Sequence, residues 1–230
     1  MMQQDALDIL GTGANVFLTG EPGAGKSYTV RQYVAFLASR GVQFALTAST
    51  GIAATHIGGM TIHSWSGLGI RKALTKYDIA EMMVNDKLAR RVKKTSVLII
   101  DEISMLDAAM LDCVDVICRK LRGSEAPFGG IQIVFVGDFF QLPPVSRQHE
   151  PIPQFAFFSE SWRRANPTIC YLSEQHRQDD AGCVDILAAL RRGTIDEDHV
   201  AVLHARRIPP EHKDVTKLYS HNADVDRMNT

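Results

Sequence analysis

Five short runs of apolar residues recur along the chain, separated by polar or glycine-containing segments. They are NVFLT (15–19), QFALTA (43–48), SVLIID (96–101), IQIVFVG (131–137) and TICYLS (168–173). Continuous apolar runs of this length are typical of strands that are buried on both faces, as in a parallel sheet. The hydrophobic pattern therefore predicts five buried strands.

Segments with apolar residues at helical spacing alternate with these runs. They cover 27–39, 107–121 and 179–193, and the predicted cap residues of the second and third helices are Asp107 and Gly193. Strands that alternate with helices predict an α/β, doubly wound domain, in which helices cover both faces of a mostly parallel sheet.

The segment GEPGAGKS (20–27) lies between the first predicted strand and the first predicted helix, and it matches the pattern G-x-x-x-x-G-K-[ST]. Its glycines let backbone N–H groups converge on phosphate oxygens, and the helix N-terminus adds partial positive charge. Lys26 is then expected to be an exposed cation of this loop that reaches the β- and γ-phosphates of ATP, and Ser27 is expected to hold Mg²⁺. The predicted nucleotide contacts in this loop are Gly20, Gly23, Ala24, Gly25, Lys26, Ser27 and Tyr28.

The apolar run VLIIDE ends in two carboxylates, Asp101 and Glu102. They lie at the carboxyl edge of the predicted sheet, where open α/β sheets bind ligands. Asp101 is predicted to hold Mg²⁺ through water, and Glu102 is the candidate base for the attacking water. A small-molecule kinase needs no base for water at this place, so the pair favours an ATP hydrolase.

The composition excludes some classes of function but does not identify a single one. The formal net charge is −1, so any DNA site has to be a local groove rather than the whole surface. No apolar run approaches the roughly 20 residues that span a bilayer. We therefore expect an intracellular, cytoplasmic protein with no membrane partner, for which association with the nucleoid is open. The four cysteines show no CxxC spacing and are expected to be reduced residues rather than zinc ligands.

Three further strings narrow the class of enzyme: TASTGIAATHIGGMTIHSW (47–65), GDFFQLPPV (137–145) and EQHRQ (174–178). With the phosphate loop, they closely resemble the Pif-type DNA helicases, which are RecD-like members of helicase superfamily one. The resemblance implies a RecA-like P-loop NTPase domain in an ATP-dependent DNA helicase that moves 5′ to 3′. It also implies binding of single-stranded DNA and duplex junctions, in DNA repair, recombination or telomere maintenance. We expect a monomer.

The same resemblance predicts how the chain is divided. Residues 1–208 would form the first motor domain, with a small wedge or insert around 61–95. Residues 209–230 would open a second motor domain, and no segment like the TVHKSQG motif of that domain occurs before Thr230. The chain is therefore interpreted as the first motor domain of a larger protein.

Individual roles follow from the resemblance residue by residue. Gln3 resembles the glutamine that reads adenine, and Gln4 is the alternative. Gln141 resembles the sensor that links the γ-phosphate to the DNA groove, and Arg177 resembles the arginine that offsets charge on the γ-phosphate. The residues expected to face single-stranded DNA are Ser49, Thr50, Gly51 and His63.

Aromatic and basic residues near these motifs leave alternatives open. One of Phe139 and Phe140 is expected to pack in the core. Burial is the expected outcome for Trp65, with base stacking as the alternative. The basic stretch 67–96 either borders the duplex or forms a solvated face.

Two other functions remain open. A DNA-linked P-loop ATPase of the helicase-loader or transposition type would share the phosphate loop and the acidic pair, but it would lack GDxxQLPP and EQHRQ. A degenerate nucleotide-binding module would not hydrolyse ATP. The intact Lys26, Asp101 and Glu102 argue against that module.

Overall fold

A computed structural model of the chain describes residues 1–71, 73–145, 152–173, 181–207, 218–219 and 225–227. The strands are β1 (Val16–Gly20), β2 (Phe44–Ala48), β3 (Met60–Thr61), β4 (Val97–Asp101), β5 (Gln132–Val136) and β6 (Thr168–Leu172). The helices are α1 (Gln3–Gly11), α2 (Lys26–Ser39), α3 (Gly51–His56), α4 (Ile62–Ser66), α5 (Lys76–Met83), α6 (Asp86–Lys94), α7 (Ala108–Arg122), α8 (Glu160–Ala165), α9 (Ala181–Arg192) and α10 (Glu197–Ala205). Short 3-10 turns lie at Ile103–Met105, Pro127–Gly130 and Ala156–Phe158.

The chain divides into two compact units, Met1–Asp179 and Asp180–Thr230. The sheet and α1 to α8 belong to the first unit, and α9 and α10 belong to the second. The predicted boundary between residues 208 and 209 lies outside the described residues, so the division into motor domains stays a prediction.

Within the described residues, six strands form one sheet in the order β3-β2-β4-β5-β1-β6, and every neighbouring pair is parallel. The predicted α/β fold is therefore confirmed, and all five predicted strands are present. The additional strand β3 has only two residues, and Met60 is 41% exposed. A strand this short and open produces no apolar run in the sequence.

Strand β4 shows why the apolar runs are unbroken. Leu98 and Ile100 enter the core that lies against α4 to α8, whereas Val97 and Ile99 enter the core against α1 and α2. Alternate side chains of a strand point to opposite faces, and here both faces are covered. At the end of this buried strand, Asp101 and Glu102 are half-buried.

The predicted helices are also present. Asp107 is the N-cap of α7, and its carboxylate accepts a hydrogen bond from the Met110 N–H at 2.7 Å. In the second unit, α9 ends at Arg192, and Gly193 follows with φ of 70°. In the part of the chain that the structure describes, no helix has the length and apolar character needed to cross a membrane.

The segment between 61 and 95 holds three helices that the sequence pattern did not predict. Each begins at a side-chain cap, because Thr61, Thr75 and Asn85 accept hydrogen bonds from the backbone N–H three residues later. Their buried residues Ile62, Trp65, Met82, Leu88 and Val92 join the core that contains α7. These helices are short, so local caps rather than long apolar periods define them.

Candidate nucleotide and DNA site

Glycines shape the loop between β1 and α2. Gly23 and Gly25 have φ of 90° and 87°, which is the left-handed region that glycine adopts without strain. Gly20 lies against β6, and a Cβ atom at this position would be 2.6 Å from the Leu172 carbonyl oxygen. The loop therefore needs glycine at these positions for reasons of backbone geometry alone.

The N-terminus of α2 can hold an anion. The helix has 14 residues, and no side chain caps it at Gly25. The Lys26 ammonium group donates to the carbonyl oxygens of Gly20 at 2.8 Å and Glu21 at 3.2 Å. Helix N–H groups, the helix dipole and a lysine at one loop suit a phosphate chain.

One expectation about Lys26 is wrong. The sequence pattern suggests an exposed loop cation, but Lys26 is the first residue of α2 and is half-buried. Its side chain folds over the loop because the two loop carbonyl oxygens accept its hydrogens. The cation is thus already oriented within the loop.

Asp101 is the last residue of β4, and Glu102 follows it in a strained turn. Glu102 has φ of 53° and ψ of 44°, a left-handed conformation that is unfavourable by roughly 1–2 kcal/mol for a residue with a side chain. The Glu102 N–H donates to Asp101 Oδ1 at 2.9 Å. Backbone strain of this kind clusters at functional sites, where surrounding contacts maintain it.

The two carboxyl groups have perturbed acidities. Burial raises the pKa of Asp101, while the Glu102 N–H and the Lys26 charge oppose this effect. Burial also raises the pKa of Glu102, and the Asp101 and Asp138 charges raise it further against the opposing effect of Lys26. A carboxylate with a raised pKa accepts a proton more readily, as a base for water requires.

One cavity of about 870 Å³ joins several predicted site residues. Ser27, Asp101, Glu102 and Gln141 line it together with Thr50, the residue that precedes α3. The phosphate-loop helix, the acidic pair, the predicted sensor and the segment predicted to face DNA therefore meet at one place.

Gln141 lies in the loop after β5, where Asp138 organises the backbone. The Gln141 side-chain amide donates to Asp138 Oδ2 at 3.2 Å, and the Phe140 N–H donates to Asp138 Oδ1 at 3.1 Å. Asp138 is 1% exposed. Asp138 belongs to the GDFFQ string, whose resemblance predicts a role for Gln141 but none for Asp138.

The aromatic expectations near these motifs are confirmed. Phe139 packs against Phe17 and Trp162, whereas Phe140 is 71% exposed. Trp65 is 1% exposed and packs in the core. The alternative in which Trp65 stacks on a base is therefore excluded.

The residues predicted to face DNA differ in what their side chains already do. Ser49 is 8% exposed, and its hydroxyl donates to the Glu102 carbonyl oxygen at 2.8 Å. A bond from this hydroxyl to a DNA phosphate would have to replace that contact. The Thr50 hydroxyl oxygen accepts from the Ala53 N–H at 3.2 Å, and Gly51 begins α3. His63 lies on α4, where burial lowers its pKa and the Asp107 charge opposes that shift.

The two candidates for the adenine contact lie on α1. Gln3 is the first residue of α1 and is half-buried, and Gln4 donates to Asp8 at 2.8 Å on the helix surface. Neither of them lines the cavity. Arg177 lies outside the described residues. The adenine and arginine roles therefore stay predictions.

The donor groups suit a magnesium ion with a nucleotide. Ser27 offers a hydroxyl and Asp101 a carboxylate, which are oxygen ligands of the kind that Mg²⁺ takes alongside phosphate and water. Across the described ranges, no group of three or more His, Cys, Asp or Glu side chains is placed to hold a metal ion. A cation at this place would thus depend on phosphate and water ligands as well.

Known proteins match this sequence and fold. A family model described as PIF1-like helicase matches residues 4–197. The ATP-dependent DNA helicase Pif1 of Psychrobacter sp. (strain PRwf-1) is 48% identical over 238 residues, which cover 100% of this chain and 36% of that protein. The chain thus spans only about a third of the length of this curated relative.

Solved structures agree with that match. The crystal structure of Pif1 helicase from Candida albicans has a TM-score of 0.88 and 37% identity, and the match covers 99% of this chain and 52% of that chain. Pif1 helicase from Bacteroides in complex with ADP-AlF3 and ssDNA has a TM-score of 0.82 and 30% identity, over 99% and 55% of the two chains. The expected resemblance and its RecA-like fold are therefore confirmed.

Proposed function

The chain belongs to the PIF1-like helicase family, and from this premise we propose that it hydrolyses ATP to drive movement on single-stranded DNA and unwinding of duplexes. The cavity shared by the acidic pair, Gln141 and Thr50 is the observation that carries the proposal, because it joins the nucleotide side to the segment proposed to contact DNA. The solved complex of the Bacteroides relative with ADP-AlF3 and ssDNA supports a nucleotide and single-stranded DNA as the two ligands.

In the proposed reaction, Glu102 accepts a proton from water, and the water oxygen attacks the γ-phosphorus. The bond from this phosphorus to the β–γ bridging oxygen breaks, which releases ADP and phosphate. Lys26 and the N–H groups of the loop offset the charge on the phosphates, and Arg177 is proposed to add a permanent positive charge. Mg²⁺, when bound by Ser27 and Asp101 with water, would neutralise phosphate charge.

On the adenine side, Gln3 is proposed to read the base, and Tyr28 to lie beside the nucleotide. Gln141 is proposed to sense the γ-phosphate. Its side chain is oriented by the buried Asp138, so a change at the phosphate would be passed to the loop after β5. An amide suits this role because it both donates and accepts hydrogen bonds.

On the DNA side, we propose that Thr50, Gly51 and His63 contact the single strand through its phosphates and bases. Ser49 is proposed to belong to this segment without a side-chain contact to DNA, because its hydroxyl is bound to the Glu102 carbonyl oxygen. Helices α4 to α6 are proposed to border the duplex as the insert, and the last turn of α6 carries Arg91, Lys93 and Lys94.

We propose that residues 1–208 form a first motor domain, that 209–230 open a second one, and that unwinding needs both. We also propose that the protein is an intracellular monomer, and that it moves 5′ to 3′ and acts in DNA repair, recombination or telomere maintenance as the resemblance implies.

Two assays on the natural protein that contains this sequence test the proposal. The first measures ATP hydrolysis with and without single-stranded DNA. The second measures strand displacement on duplexes with either a 5′ or a 3′ overhang, together with the 230-residue chain for comparison. We expect DNA-stimulated hydrolysis, and unwinding of the 5′-tailed duplex by the natural protein alone.

Other outcomes of these assays contradict specific parts of the proposal. DNA-stimulated hydrolysis without unwinding by the natural protein would favour the loader-type or transposition-type ATPase. Unwinding by the 230-residue chain would refute the need for two motor domains. ATP binding without hydrolysis would favour a degenerate nucleotide-binding module.

A further inference from the structure

Ser49 and Glu102 are neighbours because β2 and β4 end together. These strands pair in parallel, and Ala48 at the end of β2 lies opposite Asp101 at the end of β4. Ser49 follows β2, and Glu102 follows β4. The Ser49 N–H donates to the Asp101 carbonyl oxygen at 3.1 Å, and the Ser49 hydroxyl donates to the Glu102 carbonyl oxygen at 2.8 Å. A side chain thus extends the pairing one residue beyond the strands.

This hydrogen bond acts on a residue whose backbone is strained. Glu102 has φ of 53°. Its N–H donates to Asp101 Oδ1, and its carbonyl oxygen also accepts from the Met105 N–H at 3.0 Å. Those two contacts come from residues close in sequence, whereas Ser49 holds Glu102 from a different strand. The Ser49 hydroxyl therefore fixes the turn relative to the sheet.

Ser49 is also tied to the segment proposed to contact DNA. It is 8% exposed and directly precedes Thr50, the N-cap of α3. A displacement of α3 would move the Ser49 hydroxyl against the Glu102 carbonyl oxygen. Through this contact, such a displacement would also shift the Glu102 carboxylate in the cavity.

We propose that Ser49 is a positioning residue for ATP hydrolysis, which holds the Glu102 main chain in its turn and couples it to α3. The inference rests on the proposed function, in which Glu102 is the base and α3 contacts the single strand. Ser49 touches neither the nucleotide nor the attacking water, and it acts through Glu102. Occupancy of the DNA segment would thereby adjust the geometry of hydrolysis.

The test compares Ser49→Ala with Thr47→Val in the natural protein. Thr47 is a matched control because its buried hydroxyl donates to the Ile99 carbonyl oxygen at 2.7 Å, again from β2 to β4 but inside the sheet. We expect Ser49→Ala to lower kcat of DNA-stimulated ATP hydrolysis by roughly ten- to a hundredfold, since small displacements of a reacting group have effects of this size. The KM for ATP should change by less than about twofold.

Two further variants show whether Ser49 acts through Glu102. Ser49→Thr keeps a hydroxyl and is expected to retain most of kcat. In a Glu102→Gln background, Ser49→Ala should cause no additional loss, because the base that it positions is absent. Thermal unfolding of Ser49→Ala and Thr47→Val measures how much stability each variant loses when its hydroxyl hydrogen bond is removed.

Several outcomes would overturn the inference. They are a kcat for Ser49→Ala equal to that of the parent, an equal loss of kcat in Thr47→Val, or a further loss in the Glu102→Gln background. A parent protein that hydrolyses ATP without stimulation by DNA would refute the proposed coupling to DNA, and the Ser49→Ala comparison would then be decided on basal kcat. A parent that hydrolyses no ATP would overturn both proposals.

Discussion

Two loops leave the same edge of the sheet and enter a helix, but their helices begin differently. The loop after β1 leads into α2, which has 14 residues and no side-chain cap at Gly25. The loop after β2 leads into α3, which has six residues and is capped by the Thr50 hydroxyl. The two loops have the same topology, but the N-termini of α2 and α3 differ in their chemistry.

This difference separates two ways of holding a charged ligand. The uncapped start of a long helix presents N–H groups and partial positive charge, which suits the phosphates of a nucleotide. The capped start of a short helix has already satisfied a donor within the protein, since Thr50 accepts from the Ala53 N–H. The proposed contact of α3 with DNA would therefore depend on the remaining backbone and side-chain donors rather than on the helix N-terminus.

The largest effect is expected from the loop after β1. Lys26→Ala should reduce ATP turnover to background while the fold is kept, because the ammonium group is the side-chain cation of the phosphate loop. ATP hydrolysis and circular dichroism check this, with Lys120→Ala on the exposed surface of α7 as the control. Turnover near the parent rate with an unchanged spectrum would contradict the assignment of this loop to the nucleotide.

A substitution at Glu102, the residue after β4, should separate ATP binding from ATP hydrolysis. Glu102→Gln removes the proton acceptor but keeps the size of the side chain, so ATP binding should persist while hydrolysis falls by about 10²–10⁴-fold. Nucleotide binding and single-turnover hydrolysis measure the two effects, and Glu160→Gln on α8 is the exposed control. A loss of less than about tenfold would place the base elsewhere.

The acidity of Glu102 predicts a smaller, graded effect of pH. Burial raises the pKa of this carboxyl group, and only its charged form can accept a proton. Hydrolysis should therefore fall by about tenfold per unit as pH decreases below the raised pKa, which lies above the ordinary glutamate value. Rate measurements across pH should show this acid limb in the parent and not in Glu102→Gln. An acid limb that persists in Glu102→Gln would belong to another group.

The same raised pKa has a consequence for stability, with a definite sign. In the window between the ordinary and the raised pKa of Glu102, the folded protein binds more protons than the unfolded chain. The contribution of this group to the free energy of unfolding therefore decreases as pH rises through that window. Denaturant unfolding of the parent and of Glu102→Gln over this range should show the difference.

The smallest effect is expected from the loop after β2. Thr50→Ala removes the N-cap of α3 and should lower the free energy of unfolding by about 1 kcal/mol, while Thr50→Gly should lower it by only a few tenths. The melting temperature of Thr50→Ala should fall by about 2–4 °C, and the KM for ATP should not change. If Thr50→Ala instead prevents nucleotide binding, the distinction between the two loops is wrong.

The sequence predicts best those features that are local. The apolar runs predict β1, β2, β4, β5 and β6, and the glycines of the phosphate loop show positive φ at the positions where the motif has them. Some missed helices also had a local signal. Thr75 and Asp78 form a capping box at the start of α5, which is a recognisable spacing before a helix.

The features that escaped prediction depend on contacts between distant segments. The bond from Ser49 to Glu102 requires the register of β2 on β4, which no local pattern contains. The partial burial of Lys26 depends on how its side chain folds over the loop. The position of Asp138 beneath Gln141 likewise emerges only when the loop after β5 is folded.

The burial of β4 between two apolar cores constrains how this sequence can evolve. Val97 to Ile100 are all apolar and buried, so a slip by one residue would exchange one aliphatic environment for another. The end of the strand opposes such a slip. A slip would move Asp101 into the interior of the sheet, where a carboxylate without partners is costly. Exchanges of similar volume among the aliphatic residues of β4 are therefore expected to cost less than about 1.5 kcal/mol each, whereas a deletion within the strand would draw the Asp101 carboxylate into the sheet.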